Sequence, residues 1–131
     1  MNKTKDVFET GRKCQEAGDH AGAIIAFSKA LSVDPLRSEA YRLRAISKAI
    51  LKDALGSEAD FANAIETTTL DEACAMIHAD RGAARLQRGE LVHARVDFVR
   101  ALEIDPKNMR ARELIERTGP AGDDPDDSEA N

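Results

Sequence analysis

The stretch Phe27-Ser-Lys-Ala-Leu-Ser-Val-Asp-Pro35 decides the fold, because it recurs as Phe61-Ala-Asn-Ala-Ile-Glu-Thr-Thr-Thr69 and as Phe98-Val-Arg-Ala-Leu-Glu-Ile-Asp-Pro106. The steps from Phe to Phe are 34 and then 37 residues. In each copy an Ala follows the Phe by three positions, which places a large and a small side chain on one helix face. Self-similarity at this period indicates a stack of similar helical repeats.

In each repeat, another helical segment precedes the helix that carries the Phe, and a turn separates these two helices. In the first repeat, Gly18 can adopt the left-handed conformation that ends a helix, and Asp19 can cap the next helix. Gly89-Glu90 occupies the same place in the third repeat. Each repeat is therefore predicted to be two antiparallel helices joined by a short turn.

The turn of the middle repeat has two possible positions. The sequence there reads Lys52-Asp53, and the glycine comes later, at Gly56, followed by Ser57. The turn lies at 52–54, or the first helix continues and Ser57 caps the second. We favour the turn at 52–54 because it keeps the repeat length.

The third repeat begins after an insertion of three residues, 72–74. Thr69 replaces the proline that closes the other two repeats, and Thr69-x-x-Glu72 is the pattern of a capping box. We therefore expect the next helix to start early and to be about one turn longer than its counterparts. The predicted boundaries of the repeats are about 4–37, 38–71 and 75–108.

A last helix is predicted after the third repeat, at about 107–118. Its apolar residues Met109, Leu114 and Ile115 form a narrow stripe and the rest is charged, as a terminal capping helix requires. Gly119-Pro120 ends it. We predict one domain over 1–118 and a disordered acidic tail over 119–131.

Charge is distributed unevenly along the chain, which has 24 acidic and 19 basic residues. Five acidic residues lie after Thr118, in a segment without Lys or Arg: Asp123, Asp124, Asp126, Asp127 and Glu129. The remainder is neutral, which argues against a general attraction to nucleic acid or anionic lipid.

No stretch approaches the roughly 20 apolar residues of a membrane span, and no secretory signal is evident. We expect a cytoplasmic protein.

The repeat pattern resembles the tetratricopeptide repeat family over about residues 4–108. That pattern has a small residue in the first helix, an Ala and then an aromatic in the second, and a closing Pro. The matching residues are Gly11, Ala45 and Gly82; Ala23 with Phe27, Ser57 with Phe61, and Ala94 with Phe98; Pro35 and Pro106. The resemblance implies an all-α, right-handed superhelical solenoid of about seven helices.

Two positions in the first helix of each repeat depart from the family pattern. The large aromatic near its start is replaced by Val7, Tyr41 and His78, and the second aromatic is replaced by Cys14, Lys48 and Arg85. These changes predict less aromatic packing between the paired helices and a lower stability.

The resemblance also implies a concave groove, lined by the first helix of each repeat, that receives a peptide or helix of a partner protein. From the repeat phase we predict these lining residues: Lys5, Phe8, Arg12, Arg42, Ile46, Met76, Ala79 and Ala83. One part of this set is basic and the other is small and apolar. A ligand with an acidic part and an apolar part would therefore suit the groove.

Some members of the family bind the acidic tails of heat-shock chaperones through a clamp of Lys, Asn, Asn, Lys and Arg. The matching positions in this chain are Phe8, Arg12, Leu43, Met76 and Asp80. Only Arg12 has suitable chemistry, and Asp80 would repel a carboxylate. We therefore expect an adaptor without this clamp. The acidic tail is expected to be solubilising, with binding back onto Lys5, Arg12 and Arg42 as the alternative.

No pattern of catalytic or metal-binding residues is apparent. His20, His78 and His93 come from three different predicted helices, without the spacing of a zinc protease. Cys14 and Cys74 form no C-x-x-C pair and are interpreted as small apolar fillers. We expect no enzyme activity, no metal and no cofactor. The alternative function is a structural protein that forms a homodimer through the end face of the stack.

Overall fold

The computed structural model describes the backbone of residues 3–119 and the side chains of residues 6–119. The side chain of Lys5 and the acidic residues of the predicted tail lie outside the described residues. The helices are α1 (Lys3–Glu16), α2 (His20–Val33), α3 (Ser38–Ile50), α4 (Ala54–Thr67), α5 (Asp71–Gln87), α6 (Leu91–Ile104) and α7 (Met109–Leu114), followed by a 3₁₀ helix (Ile115–Thr118).

The described residues contain only helices and turns, so the predicted all-α class is confirmed. Successive helices pack as hairpins: α1 on α2, α3 on α4, and α5 on α6. The chain divides after Thr68 into two compact units. The first unit holds α1–α4, and the second holds α5–α7 with the 3₁₀ helix. The single domain over 1–118 stays a prediction.

The two helices of a hairpin approach closely at the repeated phenylalanines, all of which are fully buried. A Cβ atom added to Gly11 would lie 2.6 Å from Cε1 of Phe27, and one added to Gly82 would lie 2.7 Å from Cε1 of Phe98. Both distances are shorter than van der Waals contact. The small residue that the repeat pattern requires in the first helix is therefore the one that admits the phenylalanine of the second.

The turn of the middle repeat lies between the end of α3 at Ile50 and the start of α4 at Ala54, as the repeat length predicted. Asp53 caps α4, and its Oδ1 accepts a hydrogen bond of 2.9 Å from the backbone N–H of Gly56. Ser57 is buried inside α4 and does not cap it. Helix α4 thus begins four residues before the position it would have if Ser57 capped it.

The first helix of the third repeat is longer than its counterparts, as expected. Helix α5 has 17 residues, against 14 in α1 and 13 in α3. The predicted capping box is wrong, because the residue preceding the helix is Leu70, whose side chain has no acceptor for a cap. Asp71 and Glu72 in the first turn instead place negative charge near the positive end of the helix dipole.

Substitution of Lys52 tests how much its turn conformation lowers the free energy of unfolding. Its φ is +69°, close to the +82° of Gly18 and the +78° of Gly89 at the same turn position. A residue other than glycine in the left-handed conformation costs roughly 1–2 kcal/mol. Substitution by glycine removes this cost, but the larger conformational entropy of glycine in the unfolded state offsets part of the gain. We expect Lys52→Gly to raise the free energy of unfolding by about 0.5–1 kcal/mol in urea titrations.

Gly89→Ala is the reciprocal change, and we expect it to lower the free energy of unfolding, because alanine is strained at positive φ. Lys13→Gly, at an exposed position inside α1, is the control and should destabilise by about 1 kcal/mol. A Lys52→Gly variant that loses stability like Lys13→Gly would show that the left-handed conformation of Lys52 carries no cost.

Candidate peptide-binding surfaces

Phe8 was predicted to line the groove, but the structure buries it. Only 1% of its surface is exposed, and its ring centroid lies 5.6 Å from that of Phe27. The guanidinium of Arg37 covers the ring at 3.9 Å from the centroid, in cation–π geometry. Val7, at the usual aromatic position, is only half-buried. Phe8 therefore fills the space beside Phe27 and offers no face to a partner.

The other predicted residues of the first unit are accessible to different degrees. Arg12 is exposed on α1, and Ile46 is half-buried on α3. Arg42 is half-buried, and its Nη2 lies 4.0 Å from Oε1 of the exposed Glu39 on the same helix. This carboxylate partly neutralises Arg42, so Arg12 is the more available cation.

Polar side chains link α1 to α3 beside these residues. Gln15 donates hydrogen bonds from Nε2 to the backbone carbonyl of Leu43 at 2.8 Å and to Oγ of Ser47 at 2.9 Å. Nδ1 of His20 lies 2.9 Å from the same hydroxyl. The bonds of Gln15 fix α1 against α3, and the contact of His20 joins the start of α2 to α3. Both side chains therefore have a structural role inside the first unit.

A carboxylate is buried inside the α3–α4 hairpin. Asp60 has 3% of its side chain exposed, and its two oxygens accept hydrogen bonds of 2.7 Å from Nε and Nη2 of Arg44. Nζ of Lys48 lies 3.1 Å from Asp60. The pKa of Arg44 is raised, first by the hydrogen bond to Asp60 and then by its charge, against the opposing effect of burial. Lys48, at a position where the family has an aromatic, is thus an ion-pair partner.

The α5–α6 hairpin repeats this arrangement with an additional histidine. Arg81 binds Asp97 through two nitrogens, at 3.0 Å from Nε to Oδ2 and 2.8 Å from Nη2 to Oδ1. Nη1 of Arg85 lies 2.9 Å from Oδ2, and Nδ1 of His78 lies 3.4 Å from Oδ1. Burial alone would raise the pKa of Asp97. The hydrogen bonds with His78 and Arg81 and the charges of Arg81 and Arg85 outweigh it, so the pKa is lowered.

These buried clusters were not among the predicted sites, although the sequence carries a signal for them. An Asp directly precedes the Phe of the second and third repeats, and an Arg stands 16 residues before each Asp. A second cation stands 12 residues before each Asp, at Lys48 and Arg85. The first repeat has Ala26 in place of the Asp, and Thr10 in place of the Arg. This spacing recurs with the repeat and predicts an ion pair between paired helices.

The predicted residues of the second unit separate into one buried and two accessible. Ala79 is fully buried in a cluster with Ala75, Ala94 and Phe98, because it lies on the face of α5 that meets α6. Contrary to the prediction, it therefore does not line an open surface. Met76 is 43% exposed, and Ala83 is half-buried.

Ala83 borders a small pocket between α5 and α7. The pocket has a volume of about 190 Å³ and is lined by Ala83, Leu86, Gln87, Arg110, Leu114 and Arg117. Nε of Arg110 lies 3.2 Å from Oδ1 of Asp80, yet 57% of the Arg110 side chain is exposed. Arg117 is exposed. The pocket therefore combines an apolar wall with two arginines from the segment that was predicted only to cap the last repeat.

The five positions that match the chaperone-tail clamp do not form one here. Phe8 is buried and Leu43 packs against the core of the first unit. Asp80 has 8% of its side chain exposed and pairs with Arg110. Met76 has no charge, which leaves Arg12 as the one position with suitable chemistry.

His78 and Asp97 also border an open groove on α6, which makes them the best candidates for acid–base chemistry. The residues that line this groove include no Ser, Thr or Cys that His78 could activate. Asp97 is already engaged by two arginines. Among the described residues, no group of three or more His, Cys, Asp or Glu side chains is placed to hold a metal ion. In residues 3–119, no helix is long and apolar enough to cross a membrane.

Asp97→Asn tests the buried cluster. It removes the carboxylate that pairs with Arg81 and Arg85, and we expect the free energy of unfolding at pH 7 to fall by about 3 kcal/mol. Because the pKa of Asp97 is lowered by folding, its contribution is present above the unfolded-state pKa of about 3.9 and is lost as the pH falls through the lower folded-state pKa. The difference in stability from wild type should thus shrink below about pH 4.

The control for this prediction is Glu103→Gln, an exposed change on the same helix. We expect it to alter the free energy of unfolding by less than about 0.5 kcal/mol. Urea titrations of the three proteins between about pH 3 and pH 7 measure both effects. Equal stability of Asp97→Asn and Glu103→Gln at neutral pH would show that the cluster contributes nothing.

The fold matches solved structures of tetratricopeptide repeat domains. The first such domain of Spaghetti (RPAP3), bound to the HSP90 peptide SRMEEVD, is 27% identical with a TM-score of 0.78, over 88% of this chain and 92% of that chain. The first domain of human RPAP3 is 26% identical with a TM-score of 0.79, over 88% of each chain. The Arabidopsis OM64 domain is 21% identical with a TM-score of 0.78, over 88% of this chain and 93% of that one.

No protein-family model and no curated protein matches the sequence. The structural similarity nevertheless extends over most of the chain, and the helix pairs fall where the 34-residue pattern predicted them. The described residues thus form three helix pairs followed by a shorter helix, and this arrangement has the fold of tetratricopeptide repeat domains.

Proposed function

We propose that this chain is a non-catalytic protein-interaction module that binds a peptide segment of a partner protein. The observation that carries the proposal is the pocket between α5 and α7, where an apolar wall and two arginines meet. The partner segment has an acidic side chain next to an apolar one. We place the module in the cytoplasm.

The size of the pocket favours a peptide side chain as its occupant. Its volume of about 190 Å³ is smaller than the roughly 300–1,000 Å³ of pockets that enclose small-molecule ligands. Ala83, Leu86 and Leu114 provide apolar contact. Arg117 can form a two-point contact with a carboxylate, and Arg110 can add its other nitrogens while Nε stays with Asp80.

The similar structures support this partner chemistry. The Spaghetti domain is bound to the HSP90 peptide SRMEEVD, and the second domain of human RPAP3 is in complex with the HSP70 peptide SGPTIEEVD. Both peptides combine acidic and apolar residues. Because the clamp positions differ in this chain, we assign its carboxylate contact to Arg110 and Arg117 instead.

In the first unit, we assign a secondary contact to the exposed Arg12 and the half-buried Ile46, with Lys5 and Arg42 as further cations. Glu39 offsets the charge of Arg42, so Arg12 should contribute more to binding. Among the accessible residues of the second unit, Met76 provides apolar contact. Phe8 and Ala79 are left out because they are buried.

Fluorescence polarisation with labelled SRMEEVD, and with the peptide SRMQQVN in which amides replace the acidic side chains, tests the assignment. We expect SRMEEVD to bind more tightly by about tenfold, because hydrogen bonds to charged groups are worth roughly 1.5–3 kcal/mol. The double variant Arg110→Gln, Arg117→Gln should lose most of this preference.

Arg112→Gln is the matched control, since Arg112 is exposed on α7 and does not border the pocket. It should retain the preference for SRMEEVD. Two results would contradict the assignment: wild-type protein that does not distinguish the two peptides, or a loss of preference in Arg112→Gln as large as in the double variant.

A further inference from the structure

A second surface of the second unit has apolar residues open to solvent. A groove of about 310 Å³ runs along α6, and its floor includes Val92, Val96 and Val99. Val96 is 60% exposed and Val99 is 42% exposed. Three valines on one helix face leave apolar area in contact with water unless something covers them.

The border of this groove carries a small excess of positive charge. Arg95 and Arg100 come from α6 and Arg81 comes from α5, while Asp97 and Glu103 are the acidic residues that line it. Asp97 and Arg81 pair with each other, so the arginines Arg95 and Arg100 face the single remaining carboxylate of the lining, Glu103. Arg100 is exposed. The groove therefore suits a segment that carries negative charge and small apolar residues.

The end of the described chain lies at the border of the same groove. Nη1 of Arg95 donates a hydrogen bond of 2.7 Å to the backbone carbonyl of Gly119. Thr118 is buried, and its hydroxyl donates to the carbonyl of Ile115 at 2.6 Å. These bonds fix the point from which residue 120 continues, beside a side chain that lines the groove.

We propose that residues 120–131 bind in the groove of α6. The segment reads Pro-Ala-Gly-Asp-Asp-Pro-Asp-Asp-Ser-Glu-Ala-Asn, so it supplies carboxylates for the arginines of the border and Pro and Ala for the valines. Asp123 is four residues beyond Gly119 and can reach at most about 14 Å. Arg100 is five residues along α6 from Arg95, a rise of about 8 Å, so the tail can reach it.

This placement differs from the one that charge alone suggested. Lys5, Arg12 and Arg42 were the alternative partners of the tail, whereas Gly119 ends beside Arg95. The bound tail covers the valines of α6 and leaves the pocket between α5 and α7 open. On α5, the groove is bordered by His78 and Arg81, and the pocket by Ala83, Leu86 and Gln87.

Paramagnetic broadening tests the placement on the full chain. A nitroxide is attached at Ser128→Cys, in a background with Cys14→Ala and Cys74→Ala, and amide signals of the ¹⁵N-labelled protein are compared before and after reduction. We expect the strongest broadening along residues 92–103. It should weaken at about 1 M salt, where the Debye length is about 3 Å, and in the variant Arg100→Glu.

Arg112→Glu, an equal charge change at an exposed site outside the groove, is the control and should retain the broadening of α6. Broadening centred on α1 and α3, on the α5–α7 pocket, or on no helix would overturn the proposal. Mixing spin-labelled protein that carries no ¹⁵N with ¹⁵N-labelled protein detects docking on a second copy. Broadening that is as strong in the mixture would also overturn docking within one chain.

Discussion

Close approach of the two helices in each pair is the constraint on which the other features of both units depend. Gly11 and Gly82 have no Cβ, and the rings of Phe27 and Phe98 occupy that space. Ala45 is the corresponding residue of the middle repeat, and it too is fully buried. This contact fixes the rotation of each helix about its axis. The side chains before and after the phenylalanine are therefore placed against the facing helix.

The buried ion pairs follow from that rotation. The residue before the phenylalanine points into the hairpin, and in two repeats it is an aspartate, Asp60 or Asp97, beneath an arginine of the first helix. Desolvation makes such a pair costly unless its hydrogen bonds are complete. Both carboxylates bind arginine through two nitrogens, and no buried side-chain nitrogen or oxygen among the described residues lacks a partner. The pairs therefore stand where the family pattern has aromatic packing between the paired helices.

Features that depend on local spacing could be predicted from the sequence. The Phe–Ala pattern located the helix pairs, the repeat length located the turn at Lys52, and the insertion explained the long α5. Features that depend on three-dimensional neighbours could not. Phe8 is buried because Arg37 covers it, and Ala79 because α6 lies against it. The arginines of α7 and the 3₁₀ helix border a pocket only because α7 packs on α5, and no spacing within that segment indicates this.

The proposed function depends on contact of a partner peptide with the second unit, between α5 and α7. Chemical-shift mapping on the ¹⁵N-labelled chain during titration with the peptide SRMEEVD tests it directly. Binding in the pocket predicts that the largest amide shifts occur at Leu86 and Gln87 and along residues 109–118, with smaller shifts on α1 and α3. Shifts confined to α1 and α3, or an absence of shifts at any helix, would contradict it.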